Sequence, residues 1–97
     1  MTYTVRFTSD SKKDFKTLDG SEKIQIRKSI AKIEKHGMNI GLPLRGDLSG
    51  CNKLVHKRAG LRVVFREEAN GIEIIDIVVI GKRSDLEVYK MAGERLK

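Results

Sequence analysis

The stretch CNKLVHKRAGLRVVFREEANGIEIIDIVVIG, residues 51–81, decides the fold. Its first half alternates apolar and polar residues, and its last part is almost continuously apolar, which are the patterns of half-buried and fully buried strands. The predicted strands are residues 52–58, 61–67 and 72–80. Ala59-Gly60 and Asn70-Gly71 separate them, and Asn-Gly is a strong hairpin signal because both central turn residues accept positive φ. The stretch therefore predicts three strands joined by two-residue turns.

Upstream of this stretch, the sequence predicts a strand, two helices and a loop. Alternation over residues 3–8 is typical of a half-buried strand. The first predicted helix has Ser9 as its N-cap and stops at Gly20, and the second has Ser21 as its N-cap and stops at Gly37. Ile26, Ile30 and Ile33 form an apolar stripe, which we expect to cover one face of the sheet. Residues 38–50 contain the one proline, Pro43, and predict a loop.

Downstream, Ser84 or Asp85 is placed to cap a C-terminal helix in which Leu86, Tyr89 and Leu96 share a side. The predicted order is β-α-α-β-β-β-α. This is an α+β fold with a small, mostly antiparallel sheet, a helix pair on one face and a C-terminal helix. A length of 97 residues fits a single domain over residues 1–97.

The composition favours a basic protein of the cytoplasm that acts without a membrane. The net charge is +7, and no apolar run reaches the length of a membrane span. We expect no secretion leader, because the first four residues lack a basic-then-apolar start. The single cysteine, Cys51, excludes an internal disulfide and a multi-cysteine metal site, and it fits a reducing compartment.

Positive charge is concentrated in residues 51–65, which contain no acidic residue. With two-residue turns, Lys57 lies opposite Arg62, and Lys53 lies opposite Arg66. All four then share one face with Val55, Val64, Ile75, Ile77 and Val79. The other face carries Leu54, Leu61, Val63, Phe65, Val78 and Ile80. Because neighbouring cations repel one another, this clustering predicts a polyanion across them, and nucleic acid is the commonest polyanion in a cytosol.

Several motifs from Leu44 onward resemble the RelE/ParE superfamily of prokaryotic type II toxin–antitoxin toxins. They are Leu44-Arg45-Gly46-Asp47-Leu48, Gly60-Leu61-Arg62-Val63-Val64-Phe65, Gly81-Lys82-Arg83, Tyr89-Lys90 and Arg95-Leu96. The predicted element order agrees along the whole chain. The tail is more similar to the RelE branch, whose members cut mRNA in the ribosomal A site, than to the ParE branch, whose members poison gyrase.

The resemblance implies an endoribonuclease that needs no metal or cofactor. In its reaction the 2′-OH of the substrate attacks the adjacent phosphate. Arg62, Arg83 and Tyr89 fall on catalytic positions of the family. The second strand lysine of the family, its general base, falls on Val55, which cannot take a proton. Lys57 is the candidate replacement, since neighbouring cations can lower the pKa of a lysine. The expected RNA ligands are Lys53, Arg66, Lys82 and Lys90.

The resemblance also implies three partners: a cognate antitoxin, mRNA in the A site of the 30S subunit, and operator DNA reached through the antitoxin complex. Val55 leaves two alternatives open, a ParE-like gyrase inhibitor and a degenerate toxin that retains only antitoxin binding. Structural roles also stay open for some candidates. Tyr89 can pack the C-terminal helix onto Ile75 and Ile77, and Lys53 and Lys57 can be edge-strand charges. His56 can be a structural group near Asp76, and Cys51 a buried residue without chemistry.

Overall fold

The computed structural model describes residues 3–68, 74–82 and 85–97. Its strands are β1 (Thr4–Phe7), β2 (Leu42–Pro43), β3 (Cys51–His56), β4 (Leu61–Glu67) and β5 (Ile74–Gly81). Its α-helices are α1 (Ser9–Lys16), α2 (Gly20–His36) and α3 (Asp85–Arg95). The predicted α+β class and element order are confirmed. The predicted Asn70-Gly71 turn lies outside the described residues.

The five strands form one sheet in the order β1-β5-β4-β3-β2. All neighbouring pairs are antiparallel except β1 and β5, which run parallel. The near-continuous apolar run of β5 follows from its interior place in the sheet, where helices cover both faces. In the sheet's interior, Val64, Phe65, Ile77 and Val79 are fully buried.

The two N-terminal helices begin at caps other than the predicted ones. The side chain of Thr8 caps α1, and Asp19 caps α2 in a capping box with Glu22. Ser9 and Gly20 are each the first residue of a helix, so the predictions for Ser9, Gly20 and Ser21 were wrong. The predicted stop at Gly37 is confirmed, because its φ of 59° is the left-handed conformation that favours glycine.

The segment predicted as a loop contains a short edge strand. β2 pairs with β3, and two 3-10 turns (Gly37–Asn39 and Gly46–Leu48) flank it. Pro43 is compatible with this position, because an edge strand does not need every backbone donor. The side-chain amide of Asn52 donates to the carbonyls of Met38 and Ile40, at 2.9 Å each, which ties the segment to the sheet.

The first hairpin turn has four residues, 57–60, instead of two. Val55 therefore lies opposite Arg62, and Lys53 lies opposite Val64. The predicted pairs Lys57–Arg62 and Lys53–Arg66 were wrong by two residues. Because side chains alternate with a period of two, this slip left the predicted faces of the two strands unchanged.

A β-bulge corrects the predicted faces of the last strand. Val64 pairs with Val79, but the next residue, Phe65, pairs with Ile77, so Val78 is an extra residue. Ile77 consequently packs with α1 and α2, and Val78 packs with α3. The prediction had Ile75 and Ile77 on the basic face and Val78 on the other.

Two hydrophobic clusters lie on opposite faces of the sheet. α2 covers the first with Ile26, Ile33 and the partly buried Ile30, which confirms the predicted stripe, and Leu18 joins them from the turn between the two helices. α3 covers the second through Val88 and Ala92, both fully buried. The predicted packing side of α3 was wrong for Leu86, which is 80% exposed.

An ion pair ties the end of α3 to α1. Arg95 donates to both carboxylate oxygens of Asp14, at 2.6 and 3.0 Å, and to the carbonyl of Val78 at 2.9 Å. Asp14 also accepts the backbone N–H of Ile80 at 3.0 Å. These side chains hydrogen-bond the backbone of β5 at Val78 and Ile80, beyond its last pair with β1 at Ile77. No helix in the described part of the chain is long and apolar enough to cross a membrane.

Candidate functional site

Side chains from β3, β4 and the start of α3 meet on the α3 face of the sheet. The Lys53 ammonium donates to Oδ2 of Asp85 at 3.1 Å and to the Tyr89 hydroxyl at 2.8 Å. It also lies 5.2 Å from the centroid of the Tyr89 ring. The Lys53 side chain is only 8% exposed, so its stem is packed while its charged end lies in the site. Lys53 is therefore not an edge-strand charge.

Arg62 reaches the same carboxylate from β4. Its Nε donates to Oδ1 of Asp85 at 2.5 Å, and its Nη1 donates to the carbonyl of Gly60 at 2.9 Å. Gly60 lies in the turn before β4 and has a φ of 66°. The turn thus holds the guanidinium from one side and Asp85 holds it from the other. We call Lys53, Arg62, Asp85 and Tyr89 the central cluster.

The ion pairs fix the protonation states of the central cluster. The hydrogen bond to Tyr89, with help from Asp85, raises the pKa of Lys53 above its ordinary value, despite the opposing effect of burial. Hydrogen bonds from Lys53 and Arg62 lower the pKa of Asp85. Lys53 is therefore a persistent cation and a proton donor.

Sequence reasoning missed the role of Asp85, which was expected only as a helix cap. The signal for it was its spacing, because Asp85 and Tyr89 are four residues apart and so share one side of α3. The clustered cations were expected to require an outside anion. The structure shows an internal one.

Lys57 does not belong to the central cluster. It lies in the turn after β3 and lines a cavity with Glu22 and Gln25, at the start of α2. The position opposite Arg62 is occupied by Val55, which is 37% exposed. Val55 lines the same cavity as Lys57. The predicted catalytic role of Lys57 therefore stays a prediction.

The other predicted RNA ligands are distributed around the site. Lys82 pairs with Glu22 of α2 at 3.1 Å and so points to the helix-pair side. Arg66 is exposed at the far end of β4. Lys90 lines an open depression beside Tyr89 that also includes Arg45 and Lys97. Arg83 lies outside the described residues, so its predicted catalytic role stays a prediction.

The remaining titratable candidates have structural partners. His56 hydrogen-bonds Ser29 of α2, and burial lowers its pKa, with Lys32 and Lys28 adding to the effect. Asp76 pairs with Arg6 at 3.0 Å and not with His56. Cys51 is buried, as predicted, and burial raises the pKa of its thiol. Tyr89 cannot pack on Ile75 and Ile77, which lie on the other face of the sheet.

The central cluster can stabilise negative charge. An ammonium and a guanidinium converge from separate strands, and a phenol lies beside them. The depression next to Tyr89 adds three basic residues, Arg45, Lys90 and Lys97, and two acidic ones, Asp47 and Glu94. Guanidinium groups suit phosphate oxygens because they present a fixed fork of donors. In the described residues, no group of three or more His, Cys, Asp or Glu side chains could hold a metal ion.

Comparison with known proteins places this geometry in a family. No family model matches the chain. A curated protein of Escherichia coli, provisionally named a RelE-like toxin protein, is 31% identical over 97 residues, which is 100% of both chains.

Solved structures of RelE toxins share the fold. An arginine-to-alanine double variant of E. coli RelE in the free state has a TM-score of 0.81 and 23% identity, with 100% of both chains covered. The toxin–antitoxin complex RelBE2 of Mycobacterium tuberculosis has a TM-score of 0.73 and 21% identity, covering 86% of this chain and 100% of that chain. The same RelE variant bound to a RelBc antitoxin peptide has a TM-score of 0.71 and 22% identity, with 95% of both chains covered. The 31% identity to the curated protein along its full length, together with this shared fold, shows that the chain belongs to the RelE-like toxins, on the RelE branch of the RelE/ParE superfamily.

Proposed function

We propose that this toxin is an endoribonuclease that cleaves mRNA in the A site of the 30S ribosomal subunit. The observation that carries the proposal is the convergence of Lys53, Arg62 and Tyr89 at one place on a RelE-like fold. Arg62 and Tyr89 fall on family positions named from the sequence, and Lys53 is one of the expected RNA ligands. They provide positive charge and a proton donor, which are the needs of phosphodiester cleavage by an adjacent 2′-OH.

Each group of the central cluster has a role in this chemistry. Arg62 binds the phosphate and stabilises the negative charge that develops on it during attack. Lys53, kept protonated by its contacts, donates a proton to the leaving 5′-oxygen. Tyr89 accepts a hydrogen bond from Lys53 and stacks on a base of the RNA or donates a proton to it. Arg83 provides a second guanidinium for the phosphate.

Val55 makes the removal of the 2′-OH proton the slow part of the reaction. A positioned general base contributes about 10²–10⁴-fold, and valine contributes nothing of this kind. We expect slow cleavage by the natural protein. We also expect Val55→Lys to accelerate cleavage by about 10²-fold, because it introduces an amine directly opposite Arg62.

The partners of this toxin are a cognate antitoxin, mRNA on the ribosome, and operator DNA through the antitoxin complex. The solved structures of related toxins with antitoxins support the first of these partners. An acidic antitoxin segment over the depression beside Tyr89 would pair with Arg45, Lys90 and Lys97, and its carboxylates would have to lie away from Asp47 and Glu94 in the same lining. Its affinity would then fall as the salt concentration rises.

The test is to induce the protein in cells and map the 5′ ends of messengers. We expect growth arrest and new in-frame ends with the natural protein, and a loss of about 10²-fold in cleavage with Arg62→Ala. Arg58→Ala is the matched control, because Arg58 is a basic residue that lines the cavity beside α2 instead. Purified ribosomes, added or omitted, test the ribosome requirement. Unchanged messengers would refute the proposal.

The absence of a base at Val55 also favours a second candidate, inhibition of gyrase without RNA chemistry. This activity predicts double-strand DNA breaks and an SOS response while messengers stay intact. A degenerate toxin would neither cleave messengers nor damage DNA. Cells that express Arg62→Ala would then grow like cells that express the natural protein. The same induction experiment separates all three.

A further inference from the structure

The carboxylate of Asp85 bridges the two cations that the proposed function assigns to RNA. Its Oδ2 lies 3.1 Å from Nζ of Lys53, and its Oδ1 lies 2.5 Å from Nε of Arg62. A phosphodiester has two non-bridging oxygens with one negative charge between them. A carboxylate has the same two-oxygen form and the same charge, so Asp85 holds the place that an RNA phosphate would take.

The charges of the central cluster show what this contact does. Lys53 and Arg62 together carry two positive charges, and Asp85 removes half of that total. A phosphate arriving at the pair must either remain near the Asp85 carboxylate or displace it. Both routes weaken binding, because like charges at close range repel and because the existing hydrogen bonds must be exchanged.

Exposure identifies which member of the cluster can move. The side chain of Asp85 is 45% exposed, whereas that of Arg62 is 22% exposed and that of Lys53 is 8% exposed. Asp85 is the first residue of α3, where a side chain is not enclosed by a preceding helical turn. The two cations are therefore fixed, and the anion lies on the solvent side.

We propose that Asp85 is an internal competitor of the RNA phosphate, which holds the site neutralised until RNA displaces it. This inference rests on the proposed function for the identity of the ligand. It assigns to Asp85 a regulatory role, so removing its charge strengthens RNA binding. A purely structural role in positioning Lys53 and Arg62 predicts the reverse.

The experiment measures binding of a 2′-O-methyl single-stranded oligoribonucleotide by fluorescence anisotropy at several salt concentrations. The 2′-O-methyl groups prevent cleavage, so binding is measured alone. We expect Asp85→Asn to bind about tenfold more tightly, which is roughly one unit of charge at contact distance in a partly exposed site. The slope of log affinity against log salt should steepen by about 0.7, the value for one additional phosphate contact on a single strand.

Asp10→Asn is the matched control. Asp10 also lies in the first turn of a helix, α1, and it is exposed, but it does not contact the central cluster. The substitution and the change in net charge are the same, so we expect affinity within about twofold of the natural protein. Asp85→Glu, which keeps the charge, should stay close to the natural protein. Asp85→Ala also removes the charge and should bind as tightly as Asp85→Asn, so it keeps the proposal testable if Asp85→Asn folds poorly by far-UV circular dichroism.

The possible results separate this inference from the proposed function. Equal or weaker binding by Asp85→Asn, relative to Asp10→Asn, overturns the inference even if the natural protein cleaves mRNA. Tighter binding with a steeper salt slope supports it even if no messenger is cleaved, and the proposed nuclease activity would then fail alone. Tighter binding by both variants would show a non-specific effect of charge and would also overturn it.

Discussion

Replacement of Arg95 by methionine should destabilise the protein by about 2–3 kcal/mol. Arg95 makes three short hydrogen bonds, two to the carboxylate of Asp14 and one to the carbonyl of Val78. The side chains of Arg95 and Asp14 are 19% and 13% exposed, so water replaces these contacts poorly. Methionine preserves most of the apolar stem of Arg95 but none of its hydrogen bonds. The Asp14 carboxylate then loses the guanidinium and keeps its bond from the N–H of Ile80, and the Val78 carbonyl loses its side-chain partner.

The magnitude follows from these contacts. Hydrogen bonds to charged groups contribute about 1.5–3 kcal/mol, and breaking a fully buried ion pair costs about 3–5 kcal/mol. Partial exposure places this pair below the second range. Because 1 kcal/mol shifts Tm by about 4–8 °C in a domain of this size, the expected decrease in Tm is roughly 8–24 °C.

Urea unfolding followed by far-UV circular dichroism measures this loss, since the chain has no tryptophan for fluorescence. Asp14→Asn and the double variant complete a mutant cycle. The double variant should cost less than the sum of the single variants, by about 1–3 kcal/mol, because each single variant already breaks the shared contact. A loss below about 0.5 kcal/mol for Arg95→Met, or strict additivity in the cycle, would refute the reasoning.

Two further predictions concern packing and pH. Gly81→Ala should cost about 1–3 kcal/mol by thermal unfolding, because the added Cβ would lie 2.8 Å from Cγ2 of the buried Val88; an unchanged Tm would contradict this. Stability should fall as the pH decreases below about 6.5, because burial lowers the pKa of His56 in the folded state and the unfolded chain then binds the proton more readily. His56→Gln should flatten this slope between about pH 7 and 5, and an unchanged slope would exclude His56 as its source.

The faces of the hairpin could be predicted from sequence although the register could not. Alternation determines which residues share a side, and an error of two residues in the turn preserves it. Lys53 and Arg62 were therefore placed on one face correctly. The four-residue turn was not predictable from Ala59-Gly60, because Gly60 provides the positive φ that either turn length can use.

The bulge opposite Val64 and Phe65 left no comparable signal. Residues 74–80 are apolar at nearly every position, so moving Ile77 to one core and Val78 to the other changes no polar pattern. It shows only in the packing, where Ile77 and Val78 join different clusters. Asp85 escaped prediction for a similar reason. A sequence places it four residues before Tyr89, but only the packing of Val88 and Ala92 turns that side of α3 toward Lys53.

Val55 and Asp85 act in the same direction on the charge of the site. The family's lysine at position 55 would add a basic group opposite Arg62, and this chain has valine there. Asp85 pairs with both Lys53 and Arg62, so these three side chains together carry one net positive charge. If the proposed function holds, a site of such low net charge should bind free RNA weakly. The ribosome would then supply the binding that the site lacks, because it fixes the messenger in place. We therefore expect Val55 and Asp85 to disfavour cleavage of free RNA more than cleavage of RNA on the ribosome.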